Sequence, residues 1–209
     1  MAYQLLLATR NRGKIEEFRR ILEALAPGEI ELLGLDAFPD THDVIEDGAT
    51  FTENALKKAR EMSLATGIAA IADDSGLCID ALNGDPGIYS ARWAGNHGDD
   101  AANNEKVLQQ LREVPDGKRG AHFTCVAALY LPDGSSHIEE GRFDGSILRA
   151  PVGEEGFGYD PIFQPEGYSI SSAQLSAGEK DEISHRGKAL RAIRSEEHTS
   201  ELQSRETIS

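Results

Sequence analysis

The stretch Ile68 to Asp80, IAAIADDSGLCID, constrains the fold more than any other part of the chain. Its apolar run, Ile68-Ala69-Ala70-Ile71-Ala72, is too short for a helix and reads as a buried strand. The run ends in two carboxylates, Asp73 and Asp74. Ser75-Gly76 is expected to turn the chain before Leu77 to Ile79 resumes an extended run. Adjacent acids at the exit of a buried strand repel each other. Keeping both ionised there costs free energy unless a cation sits between them. Side chains alternate along an extended chain, so one acid can bind a metal while the other handles a proton. For the tetrapeptide alone, the plain alternative is a solvated Asp-Asp-Ser-Gly turn.

At 209 residues the chain suits one domain or two tightly joined lobes, and 39% hydrophobic residues can build a core. The balance is acidic, 21 Lys+Arg against 36 Asp+Glu, formally −15. Such a surface repels nucleic acid and anionic lipid, so neither is expected as a partner. An anionic ligand then requires a local basic cluster or a divalent metal. Cys78 and Cys125 lie in apolar runs and read as small buried hydrophobes, as expected of a reduced, cytoplasmic protein. Leu5-Leu6-Leu7 is too short for a signal peptide, and no apolar run is long enough to span a membrane.

Tyr3 to Ala8 reads as a strand that runs into Thr9-Arg10-Asn11-Arg12-Gly13-Lys14. Ile15, Phe18, Ile21, Leu22 and Leu25 then recur at helical spacing until Pro27-Gly28. A strand, a polar glycine-containing turn and a helix point backbone N–H groups at an anion, and Lys14 adds a cation. The P-loop spacing is absent, and an ordinary capped turn fits equally well. Ile30 to Leu35 is a second strand, and Asp36 to Gly48 is an acidic connection containing Glu46. Thr50 and Glu53 form a capping-box pattern ahead of a helix over 55–65, closed by Gly67. Glu53 either caps that helix or joins the carboxylates.

Asp99 to Leu111 is helical, and Ala121 to Leu131 with Ser136 to Leu148 forms a hairpin around Pro132-Asp133-Gly134. Gly156, Phe157 and Gly158 lead into Tyr159-Asp160-Pro161. Glycine on both sides of an aromatic ring lets backbone approach a flat ligand, with Phe157 either stacking on a base or anchoring the loop. Lys180, His185 and Arg186 supply positive charge late in the chain, and Ser184 reads as an N-cap. Cations in a first helical turn oppose the helix dipole, which points to an external anion. From Ser195 the sequence reads as a non-native, adapter-derived tail, so the expected organisation is one two-lobed domain over 1–194 and a tail over 195–209 with the last natural helix cut short.

ATRNRGK, FTENALKKA, ADDSGL, PGIYSARWAG, GFGYDPIF and ISHRGKAL occur in this order. Together they resemble the inosine/xanthosine triphosphate pyrophosphatases, over roughly Tyr3 to Ile193. The resemblance implies an α/β fold with a long twisted mixed β-sheet flanked by helices, in two lobes with a central active-site cleft. It implies a homodimer, a Mg²⁺ requirement, and hydrolysis of ITP, dITP and XTP to the monophosphate and pyrophosphate. By motif, Asp73 would be the proton acceptor, Glu46 and Asp74 the metal ligands, and Ser75 a substrate contact. Thr9, Arg10, Asn11, Arg12, Gly13, Lys14 and Lys180 would hold the triphosphate. Phe157, Gly158, Tyr159 and Asp160, with His185 and Arg186, would surround the base. The family pattern leads one to expect Thr where Asp47 stands.

That chemistry suits these residue types. Mg²⁺ takes few protein oxygens and leaves positions for water and phosphate. A carboxylate beside it orients and deprotonates water. Donors from Arg186, His185 or the backbone N–H of Asp160 would accept a 6-oxo purine and reject a 6-amino one. Two rivals remain: a pyrophosphatase acting on pyrimidine triphosphates, and a nucleotide sensor without hydrolysis. A structural or nucleic-acid-binding role is disfavoured by the acidic balance.

Overall fold

A computed structural model describes the backbone of residues 2–206 and the side chains of residues 2–195. Six strands, β1 (Tyr3–Leu7), β2 (Ile30–Leu33), β3 (Ala70–Ile79), β4 (Gly120–Tyr130), β5 (Ser136–Ile147) and β6 (Phe163–Pro165), form one sheet in the order β2-β1-β3-β4-β5-β6. β1 runs parallel to β2 and β3, while β5 and β6 are antiparallel. The sheet is therefore mixed, and with helices α1 (Arg12–Leu25), α2 (Phe51–Thr66), α3 (Asp100–Gln110), α4 (Ala177–Ile183) and α5 (His185–Glu206) the fold is α/β.

Local chemistry sets the element ends. Asn11 caps α1, its Oδ1 accepting from Lys14 N at 3.0 Å. Thr50 Oγ1 accepts from Glu53 N at 3.1 Å, and Glu53 Oε2 accepts from Ala49 N at 2.7 Å. Glu53 is thus a capping residue of α2. Gly67, at φ 71°, closes that helix in the left-handed conformation. Ser184 ends α4, its N–H donating to Lys180 O at 2.8 Å, and stands immediately before α5.

Ser75-Gly76 departs from expectation. β3 runs through it without a turn. A Cβ on Gly76 would run into Gly87 O and Ser90 Oγ, so the glycine serves close approach, not chain reversal. Ser90 Oγ accepts from Leu77 N at 2.9 Å and donates to Gly87 O at 2.6 Å, which fixes that approach. The segment expected to be a non-native tail continues the α5 backbone to Glu206, and residues 207–209 lie outside the described residues.

The chain divides into two compact units, 1–74 with 126–141 and 186–209, and 75–125 with 142–185. In the first, Ala55, Ala59 and Met62 put one face of α2 against Leu6, Ala70, Ala72, Val126 and Ala128. In the second, Val107 of α3 and Leu111, which caps its C-terminus, pack with Leu77, Ile79, Phe123, Phe143 and Phe163. Among the described residues no helix is long and apolar enough to cross a membrane.

Candidate active site

In the first unit, β1 feeds the N-terminus of α1 through Thr9, Arg10 and Asn11. Thr9 Oγ1 accepts from Asn11 N at 3.2 Å. The first turn of α1 holds no acid, and Arg10, Arg12 and Lys14 crowd the positive end of its dipole. That is unfavourable by itself and favourable around an anion. Arg10 pairs with exposed Asp43 at 2.6 Å.

Asp73 is the centre of this unit's polar cluster. Its side chain is fully buried, with Lys14 Nζ 3.1 Å from Oδ1. Arg186 reaches Oδ2 through Nη2 at 2.9 Å and Nε at 3.3 Å. Arg186 Nη1 also bonds Glu17, itself buried on α1. Two cations thus balance two carboxylates where unpaired charge would be costly. The planar guanidinium, with its donors in a fixed fork, reaches both carboxylates at once.

Asp74, one residue on, has a different partner: Asn54 Nδ2 of α2 donates to its Oδ2 at 2.9 Å. Lys58, four residues further along α2, donates to Glu46 Oε1 at 2.6 Å and to Asp73 O at 2.7 Å. Burial pushes the Asp74 carboxyl above its ordinary range, only partly offset by Lys58, Lys14 and Asn54. Burial acts the same way on Glu46, but the charge and hydrogen bond of Lys58 outweigh it and hold that carboxyl low.

These oxygens suit a hard divalent cation. A buried carboxylate held above its usual range is what such a cation would re-ionise. Among the described residues no group of three or more His, Cys, Asp or Glu gathers as a ready metal nest. A magnesium ion here would therefore draw on Glu46 and Asp74 and take its remaining ligands from water and phosphate, its common habit.

In the second unit, Lys180 Nζ bonds buried Asp160 Oδ2 and lies 5.1 Å from the Phe157 ring centre. Asp160 Oδ2 also accepts from Phe157 N at 2.9 Å. Gly158 N donates to Asp100 Oδ2 at 2.8 Å, and Asn104 Nδ2 donates to Gly158 O at 3.0 Å. Tyr159 donates its hydroxyl to Ser90 O at 2.8 Å, and burial pushes its phenol well up, so it stays neutral. His185 stacks on Phe123, ring centres 4.9 Å apart. Ser75 is half-buried in β3.

Each residue expected at the site from sequence has a defined set of neighbours within its own unit. Lys14, Asp73, Asp74 and Glu46 do gather in one unit. Arg186, expected around a base with His185, bonds Asp73 and Glu17 in this structure. Lys180, expected on the triphosphate, is paired internally with Asp160. The Asp160 N–H, expected to face a 6-oxo group, donates to Phe157 O at 3.3 Å within its own turn. Sequence reasoning gave no role to Glu17, Asn54, Lys58, Asp100 or Asn104. Four of them carried a usable signal: Glu17 beside Phe18 and Ile21, Asn54 and Lys58 beside Ala55 and Ala59, and Asn104 three residues before Val107 all interrupt an apolar helix stripe.

Acids and cations clustered on an α/β sheet beside a cationic helix N-terminus define a candidate phosphate-handling enzyme. The chain belongs to the Ham1 family, whose model matches residues 5–196. It is 57% identical over 190 residues to a dITP/XTP pyrophosphatase of Streptomyces coelicolor, covering 91% of this chain and 94% of that one. It is 53% identical over 196 residues to a protein of the same name from Corynebacterium efficiens, covering 91% and 95%. Among solved structures, the nucleoside-triphosphatase / dITP/XTP pyrophosphatase of Mycobacterium abscessus matches at 50% identity and TM-score 0.73, covering 91% of this chain and 97% of that one. The Ham1 protein of Staphylococcus aureus matches at 38% identity and TM-score 0.82, covering 94% and 99%.

Proposed function

We propose that the protein hydrolyses ITP, dITP and XTP to the nucleoside monophosphate and pyrophosphate, removing them from the nucleotide pool. The observation that carries this reading is buried Asp73, held by Lys14 and Arg186 beside Asp74 at the cationic start of α1. Relatives that share half or more of their residues with this chain are dITP/XTP pyrophosphatases, which supports dITP and XTP among these substrates.

The triphosphate binds at the N-terminus of α1, where Arg10, Arg12 and Lys14 meet exposed backbone N–H groups. Drawing Lys14 onto phosphate releases its hold on Asp73 Oδ1. That oxygen then takes the proton of a water whose oxygen bonds to phosphorus while the α–β bridging P–O bond breaks. Pyrophosphate departs with the bridging electron pair. Arg186 keeps Oδ2 fixed throughout, so the carboxylate cannot rotate away. Glu46 and Asp74 would hold Mg²⁺, which when bound would neutralise charge building on the phosphoryl oxygens. Lys58 holds Glu46 ready for that role.

Phe157 stacks on the base, and the loop Phe157 to Asp160 with His185 reads it. A donor aimed at the 6-oxo group meets a second donor when adenine binds, and an unpaired buried polar group costs about 1–3 kcal/mol. The working form is a cytoplasmic homodimer. The test is pyrophosphate release from ITP, dITP, XTP, ATP, GTP, dTTP and UTP, with and without Mg²⁺. Release from the first three, dependent on Mg²⁺, is expected. Preference for dTTP and UTP, or binding without release, would overturn the proposal in favour of a pyrimidine enzyme or a sensor.

A further inference from the structure

We infer that Asp100 and Asn104 of α3 are specificity-determining positioning residues: they latch the backbone of Gly158 from both sides and so set where the Phe157 ring meets the base. This rests on the reading of that loop as the base contact. The two residues are four apart and share a helix face. Asp100 Oδ2 accepts from Gly158 N at 2.8 Å, and Asn104 Nδ2 donates to Gly158 O at 3.0 Å. Both backbone polar groups of one loop residue are therefore assigned to one rigid helix.

Asn104 is 8% exposed, and its buried Oδ1 has no hydrogen-bond partner among the described residues. A buried amide with an orphaned oxygen is costly, and such exceptions call for a reason. Here the reason is the single bond its nitrogen gives to Gly158. Gly158 itself, at φ 64°, sits in the left-handed region with open space where a Cβ would be. Sterics therefore do not hold it, and the two side chains do. Neighbouring Tyr159 and Asp160 are tied separately, to Ser90 O and Lys180, so the latch acts on the residue next to the stacking ring.

The experiment compares Asp100→Ala, Asp100→Asn, Asn104→Ala and Phe157→Ala in the full-length protein. It measures kcat and KM for ITP and ATP, and inhibition by pyrophosphate, which has no base. Removing one such hydrogen bond should raise KM for ITP about tenfold and lower the ITP/ATP preference to match. kcat and pyrophosphate inhibition should stay near wild type. Asp100→Asn keeps an acceptor and should behave as wild type. Alanine variants that keep the preference while Phe157→Ala loses it overturn the latch alone. A Phe157→Ala variant that keeps the preference overturns the base-contact reading, and the latch with it. Parallel loss of pyrophosphate inhibition in Asp100→Ala, whose side chain is exposed, means general damage and also overturns it.

Discussion

Asp73 has a cation on each carboxylate oxygen, and this decides what replacing it should do. Asp73→Asn keeps size and shape but cannot take a proton. Turnover of ITP should fall about 10²–10⁴-fold, the usual general-base contribution, while the circular dichroism spectrum and nucleotide binding by calorimetry are retained. Near-wild-type turnover would remove Asp73 from catalysis. Glu17 is the less visible partner. It is 3% exposed and bonds an arginine that is 1% exposed. Deleting one member of a buried ion pair strands the other, so Glu17→Ala should cost about 3–5 kcal/mol in urea unfolding. Glu17→Gln, which still offers an acceptor, should cost less. A loss under about 1 kcal/mol for the alanine variant would mean Asp73 alone satisfies Arg186. At this scale the sequence exposed the acids, because two adjacent carboxylates after an apolar run are conspicuous. It hid the pairing: which cation meets which acid depends on residues 113 positions apart, as with Arg186 and Asp73.

The elements were legible wherever periodicity and caps agreed. α1 and α2 begin at Asn11 and Thr50 as their side chains require, and β4 and β5 flank the turn that Pro132-Asp133-Gly134 marks. β3 was misread at Ser75-Gly76 because a turn-forming dipeptide and a strand glycine under close approach look alike in one dimension. The difference lies in Gly87 and Ser90, eleven or more residues away. Gly76→Ala tests this element directly. The added methyl would meet Gly87 O, a backbone atom that cannot swing aside. Overpacking of this kind costs about 1–3 kcal/mol, which should lower the melting temperature by several degrees. Were Ser75-Gly76 a solvent-exposed turn, the same change would be nearly neutral or mildly stabilising. An unchanged melting temperature would therefore contradict the continuous strand.

Over the whole molecule, each compact unit has its own hydrophobic core, which by itself would permit two independent unfolding steps. The path of the chain argues otherwise. Domains that unfold separately are joined where few segments cross, whereas here the chain passes between units at 74/75, 125/126, 141/142 and 185/186. The first three passages fall inside β3, β4 and β5. Melting one unit would fray three strands of the sheet that the other unit also needs. One cooperative transition is expected. The molecule carries its own reporter for this. Trp93 is the sole tryptophan, belongs to the second unit, and has Lys106 Nζ 4.1 Å from its ring centre. Its fluorescence follows that unit, whereas far-ultraviolet circular dichroism is weighted toward α1, α2 and α5, which lie in the first apart from His185. In a urea titration the two signals should trace the same midpoint and slope. Midpoints that separate by more than their error would show that the units unfold in sequence and that the shared strands do not couple them.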